Sequence, residues 1–262
     1  MIEKEGSGVA QVMQEDQQEP ELAAANWSDL ALYLFGGVGI YLLASLGLGL
    51  LIPEVNLATA VLIAALNFLV LAGSVFLFGV RRGKLSWESI GLVPPRNLGR
   101  FALTGAGLAI AILPLRLAAG GLGLLVEQAL TGEISSLAMR EGLFSVGMDS
   151  WYGILLMVLG IGVLAPIGEE LFFRGLLFDF FRKKTGLAWG VALSSLAFGL
   201  AHFDSLAVVA SSLVMGIVMA IAVARTGSIW ISIFMHIFTN TGAVLTMAAA
   251  LQIGKILETP IL

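Results

Sequence analysis

Seven stretches of this 262-residue chain are each long enough to cross a membrane and contain almost nothing but apolar side chains. A helix needs roughly 20 apolar residues to traverse a hydrocarbon core of about 30 Å. The stretches run from Leu30 to Ile52, Leu57 to Val80, Phe101 to Val126, Trp151 to Phe181, Leu187 to Phe203, Leu206 to Ala224 and Ile229 to Leu251. Backbone N–H and C=O groups find no partner in lipid, so a spanning segment must satisfy them internally as a helix or within a closed barrel. The runs lack the apolar–polar alternation of barrel strands. The sequence therefore predicts an all-α fold, a polytopic transmembrane helical bundle of about seven spans, with six to eight allowed by the uncertainty of the boundaries. Composition agrees. Charged residues make up 12% of the chain, about half the share usual in a soluble domain, and the mean hydropathy is +0.96. Glycines inside the runs, such as Gly37, Gly47, Gly105 and Gly107, suit the close approach of helices in lipid.

Outside the runs the charges are sorted. Arg81, Arg82, Lys84, Arg96 and Arg100 follow the second run, Arg182, Lys183 and Lys184 follow the fourth, and Arg225 closes the sixth. With seven spans these three loops share one side, which the positive-inside rule assigns to the cytoplasm. The other loops carry mainly acids: Glu54, then Glu127, Glu133, Glu141 and Asp149 with Arg140. The N-terminus is then expected inside and the C-terminus outside. Residues 131–150 leave room for a short interfacial helix. Residues 1–29 hold Glu3, Glu5, Glu15, Asp16, Glu19 and Glu21 against Lys4, lack the basic start and apolar core of a signal peptide, and read as an acidic flexible tail. The net charge of −4 and the absence of cysteine leave no global basic surface for nucleic acid and no thiolate chemistry.

Ionisable groups inside a span are costly, so each is a functional candidate. Glu169, Glu170 and Arg174 follow Pro166 and Gly168 in the fourth run; His202 ends the fifth; His236 and Asn240 lie in the seventh. Glu170 and Arg174, Phe198 and His202, and His236 and Asn240 are each spaced i and i+4, on one face of a helix. Three helices can thus point polar stripes into one cavity. Depth is a difficulty. A rise of about 1.5 Å per residue puts Glu169 about 20 Å from Arg182 and His236 about 12 Å from Ser228, with His202 towards the outer end of its run. Structural readings stand beside these: a buried ion pair for Glu170 and Arg174, an interfacial residue near Asp204 for His202, and interhelical hydrogen bonding for His236 and Asn240. Phe198 reads as packing or a cavity wall. Asn67 reads as a helix–helix contact, and Arg116 as a side chain that snorkels or pairs with Glu127.

The three clusters, Glu169-Glu170-Leu-Phe-Phe-Arg174, Phe198-Gly-Leu-Ala-His202 and His236-Ile-Phe-Thr-Asn240, resemble the motif set of the CAAX protease and bacteriocin-processing family, also called the abortive-infection family. The Ras-converting CAAX endopeptidases belong to it. Each motif is weak alone; three in order on successive apolar helices are specific. The resemblance divides the chain into the tail (1–29), N-terminal transmembrane helices (30–130) and a catalytic transmembrane core (131–262). It implies an intramembrane endopeptidase in which Glu169 and His202 activate water while His236 and Asn240 stabilise the oxyanion. Glu170, Arg174 and Phe198 would support them. Two histidines and a carboxylate could also make an open zinc site, with Glu169, His202 and His236 as ligands, although their spacing is not the His-Glu-x-x-His of helical zinc proteases. No obligatory metal is expected, with zinc the alternative. The expected partners are membrane lipid and a peptide or lipidated protein, without nucleic acid, and the expected location is a prokaryotic plasma membrane. Two other functions compete: a non-catalytic binding or immunity protein of the same fold, and an ion-coupled transporter with a Glu/His relay. No repeated half with paired broken helices supports the transporter.

Overall fold

The computed structural model describes residues 22–52, 56–134, 142, 145–203 and 205–258, and among them it contains helices and turns but no strand. The tail up to Glu21, Glu54, Arg140, Glu141, Asp204 and most of the 131–150 loop in which an interfacial helix was expected lie outside the described residues. The helices are α1 (Trp27–Leu51), α2 (Leu57–Val80), α3 (Leu98–Ala111), α4 (Leu113–Thr131), α5 (Trp151–Thr185), α6 (Leu187–Leu200), α7 (Leu206–Thr226) and α8 (Trp230–Glu258). Six of them, α1, α2, α4, α5, α7 and α8, are long and apolar enough to cross a membrane.

Local chemistry explains the boundaries. Asn26 and Asn56 cap α1 and α2 with reciprocal bonds to Asp29 and Thr59, Asn97 caps α3, and Ser150 accepts from Gly153 N–H at the start of α5. Such caps satisfy donors that have no partner inside the helix. Gly132 and Gly227, at φ +80° and +67°, end α4 and α7 in the left-handed conformation glycine adopts without strain. The expected third span is a rod bent at Ile112. Ile112 N–H bonds Leu108 C=O and Arg116 N–H bonds Ile112 C=O, so helical bonding persists on both sides of the bend that Pro114 imposes. Its α3 half packs on α8 and its α4 half on α7.

The middle of the bundle is α5, which is buried without interruption from Gly168 to Phe180. A helix apolar on every side belongs at a centre. Phe172, Phe173, Leu176, Leu177 and Phe178 pack there against Leu71 and Val75 of α2, Tyr33 of α1 and Ile231 and Ile233 of α8. The outer helices turn leucines such as Leu50, Leu103, Leu125 and Leu130 outward, where lipid would cover them.

The depth difficulty resolves in two places. The fifth run contributes a helix of only 14 residues, about 21 Å long, paired with the end of α5. From Glu169 to Thr185 and from Leu187 to His202 the rises are about 24 Å and 22 Å, so the hairpin brings Glu169 and His202 level. The turn between α7 and α8 is then inset beneath the 81–97 loop. Ser228 Oγ donates to Gly91 C=O (3.2 Å), and Trp230 Nε1 donates to Leu92 C=O (2.8 Å). Gly91 has φ +74°, and a side-chain carbon there would collide with the Gly227 carbonyl oxygen.

Candidate active site

Glu169 leaves α5 where Ala165–Glu170 is α-helical between two widened, π-helical stretches, Val158–Leu164 and Leu171–Phe178. Such turns are common where a helix delivers functional side chains. Pro166 explains part of the widening. It has no N–H to offer the carbonyls of Gly162 and Ile161, and in a membrane those groups need other donors. Helix α8 supplies them: Asn240 Nδ2 donates to Ile161 C=O (3.2 Å) and Thr241 Oγ1 to Gly162 C=O (3.5 Å). The break in α5 is therefore where α8 docks, one turn from His236.

His236 in turn meets both glutamates. Its Nδ1 lies 2.8 Å from Glu170 Oε1 and its Nε2 lies 3.8 Å from Glu169 Oε2. His202, in the turn after α6, places its Nδ1 2.9 Å from Phe198 C=O and its Nε2 4.0 Å from Glu169 Oε2. A carbonyl oxygen can only accept, so His202 Nδ1 carries the proton and Nε2 of the neutral ring presents a lone pair. His236 Nδ1 likewise donates to the Glu170 carboxylate. Two imidazole Nε2 atoms thus converge on one carboxylate oxygen, Glu169 Oε2, which is buried and has no hydrogen-bond donor among the described residues. The other oxygen, Oε1, accepts from Asn67 Nδ2 on α2 (3.3 Å).

The two adjacent glutamates have different surroundings. Glu170 is fully buried, and its Oε1 accepts from both Arg174 Nη1 (3.0 Å) and His236 Nδ1. Arg174 is buried with it, its guanidinium carbon 4.1 Å from the centre of the Phe198 ring. Phe198 also stands edge-on to Phe173, His202 and His236. Its ring therefore fixes both histidines and the arginine, and its carbonyl sets the tautomer of His202. Glu169 instead faces space. A cavity of about 350 Å³ is lined by Glu169, His202, His236, Asn240, Asn67 and Arg116 among others. A second, of about 600 Å³, shares Tyr41, Asn67, Glu169 and His202 and is otherwise walled by apolar residues such as Leu34, Leu42, Leu71, Phe173 and Leu200.

All seven residues singled out from the sequence meet in this one region. Asn67 is the helix–helix contact the sequence suggested, but its partner Glu169 was not foreseen, nor was the place of Arg116 in the cavity. Asn67 is bonded to Glu169, and Arg116 reaches the cavity and bonds Ser211 Oγ on α7 through its Nε (3.3 Å); among the described residues it forms no ion pair with Glu127. Zinc fits these donors poorly as they stand. Ligand atoms on a tetrahedral zinc with bonds of about 2.0–2.1 Å lie about 3.3–3.5 Å apart, closer than the 3.8 and 4.0 Å found here. No group of three His, Cys, Asp or Glu among the described residues is gathered tightly enough to hold a metal ion.

Comparison with known proteins points to the same segment. Residues 151–242 match the family described as "Type II CAAX prenyl endopeptidase Rce1-like". Over 98 residues the chain is 33% identical to "Putative membrane peptidase YdiL" of Bacillus subtilis (strain 168), covering 37% of this chain and 40% of that protein. Over 92 residues it is 30% identical to an "Uncharacterized 24.3 kDa protein" of Escherichia coli, covering 34% of this chain and 42% of the relative. The match thus spans about two fifths of the length of these relatives. No solved structure matches. The segment that carries all three polar motifs is thus the one similar to the Rce1-like type II CAAX prenyl endopeptidase family, and it lies within a longer helical membrane protein.

Proposed function

We propose that the chain is an intramembrane endopeptidase that hydrolyses a peptide bond of a membrane-anchored or lipidated substrate, with Glu169 as general base. The observation that carries this is the unpartnered Glu169 Oε2, facing two imidazole Nε2 atoms at 3.8 and 4.0 Å on the wall of a cavity. Polar atoms that close without touching are spaced for a bridging water. Water has two protons to donate and three acceptors face it, so a second N–H on one ring would complete the set. His236 is the better placed, because its other N–H already rests on the Glu170 carboxylate and the added charge is paired.

The step follows from this arrangement. Glu169 takes a proton from water as its oxygen attacks the scissile carbonyl carbon, with His202 Nε2 accepting the remaining O–H. The oxyanion accepts from His236 Nε2–H and from the Asn240 N–H not used by Ile161. The C–N bond breaks, and the proton held by Glu169 passes to the leaving amine. The apolar cavity beside Glu169 suits the lipid or membrane-embedded part of the substrate.

The test is cleavage in proteoliposomes of a farnesylated CAAX peptide and a small panel of membrane-anchored peptides. Glu169→Gln and His202→Ala are each expected to lower turnover about 10²–10⁴-fold in a folded protein, and a chelator is expected to leave the wild-type rate unchanged. Turnover that survives Glu169→Gln would end the proposal; loss of activity to the chelator, reversed by zinc, would replace its metal-free form.

A further inference from the structure

We infer that Arg116 binds a carboxylate of the substrate and so sets which peptides are cut; this rests on the peptidase reading above. An arginine within a span is costly unless it meets a partner or a polar cavity. Arg116 lies four residues into α4, a candidate membrane span, yet among the described residues no carboxylate pairs with it, and its one hydrogen bond is from Nε–H to Ser211 Oγ. That bond uses the edge of the guanidinium and leaves the Nη fork without a partner. The fork is the geometry that takes a carboxylate through two parallel bonds.

The side chain is also held in place. Arg116, Gly120 and Gly123 are spaced i, i+4 and i+7, along one face of α4. A carbon on Gly120 would lie 3.5 Å from Ala207 C=O and 3.9 Å from Ser211 Cβ, and one on Gly123 would lie 2.6 Å from Ala207 Cα. Helix α4 is therefore pressed onto α7 along the stripe that ends at Arg116, and Ser211 meets the guanidinium where the stripe reaches the cavity. The same cavity is lined by Glu169, the two histidines and Asn240, which the proposed reaction uses on the scissile carbonyl. A cation in the same cavity of about 350 Å³ leaves room for only a few residues of extended chain between the bond cut and the anion bound. The carboxylate is either the free C-terminus of the peptide or an acidic side chain close to the cut.

The test separates binding from cleavage. In the Glu169→Gln background, binding is measured for three peptides: one with a free C-terminal carboxylate, its C-terminal amide, and an amidated peptide with an aspartate at the last position. One carboxylate peptide is expected to bind at least about tenfold more tightly than the plain amide, about 1.4 kcal/mol, and adding Arg116→Gln is expected to bring that ratio to about one, with Arg116→Lys restoring part of it. Which of the two carboxylate peptides shows the preference assigns its source. Equal binding of all three, or a preference that persists in Arg116→Gln protein shown by size exclusion to be folded, overturns the inference. If wild type cleaves nothing while the Arg116-dependent preference holds, the anion site stands and the peptidase reading is the part that fails.

Discussion

Glu169 and Glu170 are neighbours in sequence, and exchanging each for glutamine should produce opposite effects. Glu170→Gln removes the charge that neutralises Arg174, which is fully buried, and weakens the acceptor of His236 Nδ1. Breaking one half of a buried ion pair costs about 3–5 kcal/mol, because the other charge stays buried and alone. For a chain of this length, each kcal/mol shifts the melting temperature by about 2–4 °C, so a fall of about 6–20 °C is expected. Glu169→Gln leaves the Glu170–Arg174 pair intact and loses at most one 3.3 Å bond from Asn67. Its effect on stability should stay near 1 kcal/mol, while turnover drops about 10²–10⁴-fold. The assay pairs thermal unfolding in detergent with peptide cleavage on the same samples. Adding Arg174→Met to Glu170→Gln should restore part of the lost melting temperature, since replacing a buried pair by neutral side chains is often tolerated. Equal destabilisation by the two single changes, or a Glu170→Gln protein of unchanged stability and no turnover, would refute the division of labour.

Asn240→Ala should lower stability as well as rate, by about 1–3 kcal/mol, because it strands the Ile161 carbonyl that Asn240 satisfies; unfolding in detergent measures this, and unchanged stability would leave Asn240 a purely chemical role. Asn67→Leu should leave the fold intact and lower kcat/KM about 10–100-fold, the kinetic equivalent of the roughly 1–3 kcal/mol lost when a buried acceptor loses its donor, here Glu169 Oε1. Phe198→Leu keeps the main-chain carbonyl but removes the ring against which Arg174, His202 and His236 rest; turnover should fall more than the melting temperature does, and steady-state cleavage beside a thermal melt distinguishes the two.

Much of this was legible in the sequence because lipid makes polar residues conspicuous. The apolar runs gave the bundle, and each of Glu169, Glu170, Arg174, His202, His236 and Asn240 stood out as a group that hydrocarbon does not tolerate unpartnered. What stayed hidden was reach. Asn67 carries no charge, so nothing in α2 marked it as the donor to Glu169 rather than as one more interhelical contact. Arg116 was conspicuous, but the face it presents depends on how closely α4 approaches α7, and that approach is set by Gly120 and Gly123 against the Ala207 backbone, a pairing between distant segments. The depth mismatch was partly soluble from sequence. Gly186 marks a tight turn, and counting outward from it along both arms of the hairpin already brings Glu169 and His202 to similar heights.

Pro166 carries a signal of another kind. A proline in a membrane helix frees the carbonyl four residues earlier, or five earlier where the turn is widened as it is before Pro166, and the membrane requires that some side chain answer it. Here the answer comes from Asn240 and Thr241, one turn beyond His236 on α8. The break in α5 therefore performs two tasks at once. It widens the helix just before Glu169 and Glu170, and it creates the acceptors that tether α8 with His236 facing both carboxylates. Replacing Pro166 with alanine would return an N–H to the α5 ladder and remove the need for the tether. Asn240 would then lose its structural duty, so Asn240→Ala should destabilise the Pro166→Ala protein less than it destabilises the wild type. A double-mutant cycle measured by thermal unfolding reads this coupling directly, with an interaction of about 0.5–3 kcal/mol expected for residues that share one hydrogen-bond network. Additive effects would mean that Asn240 meets Ile161 for reasons unconnected with the proline.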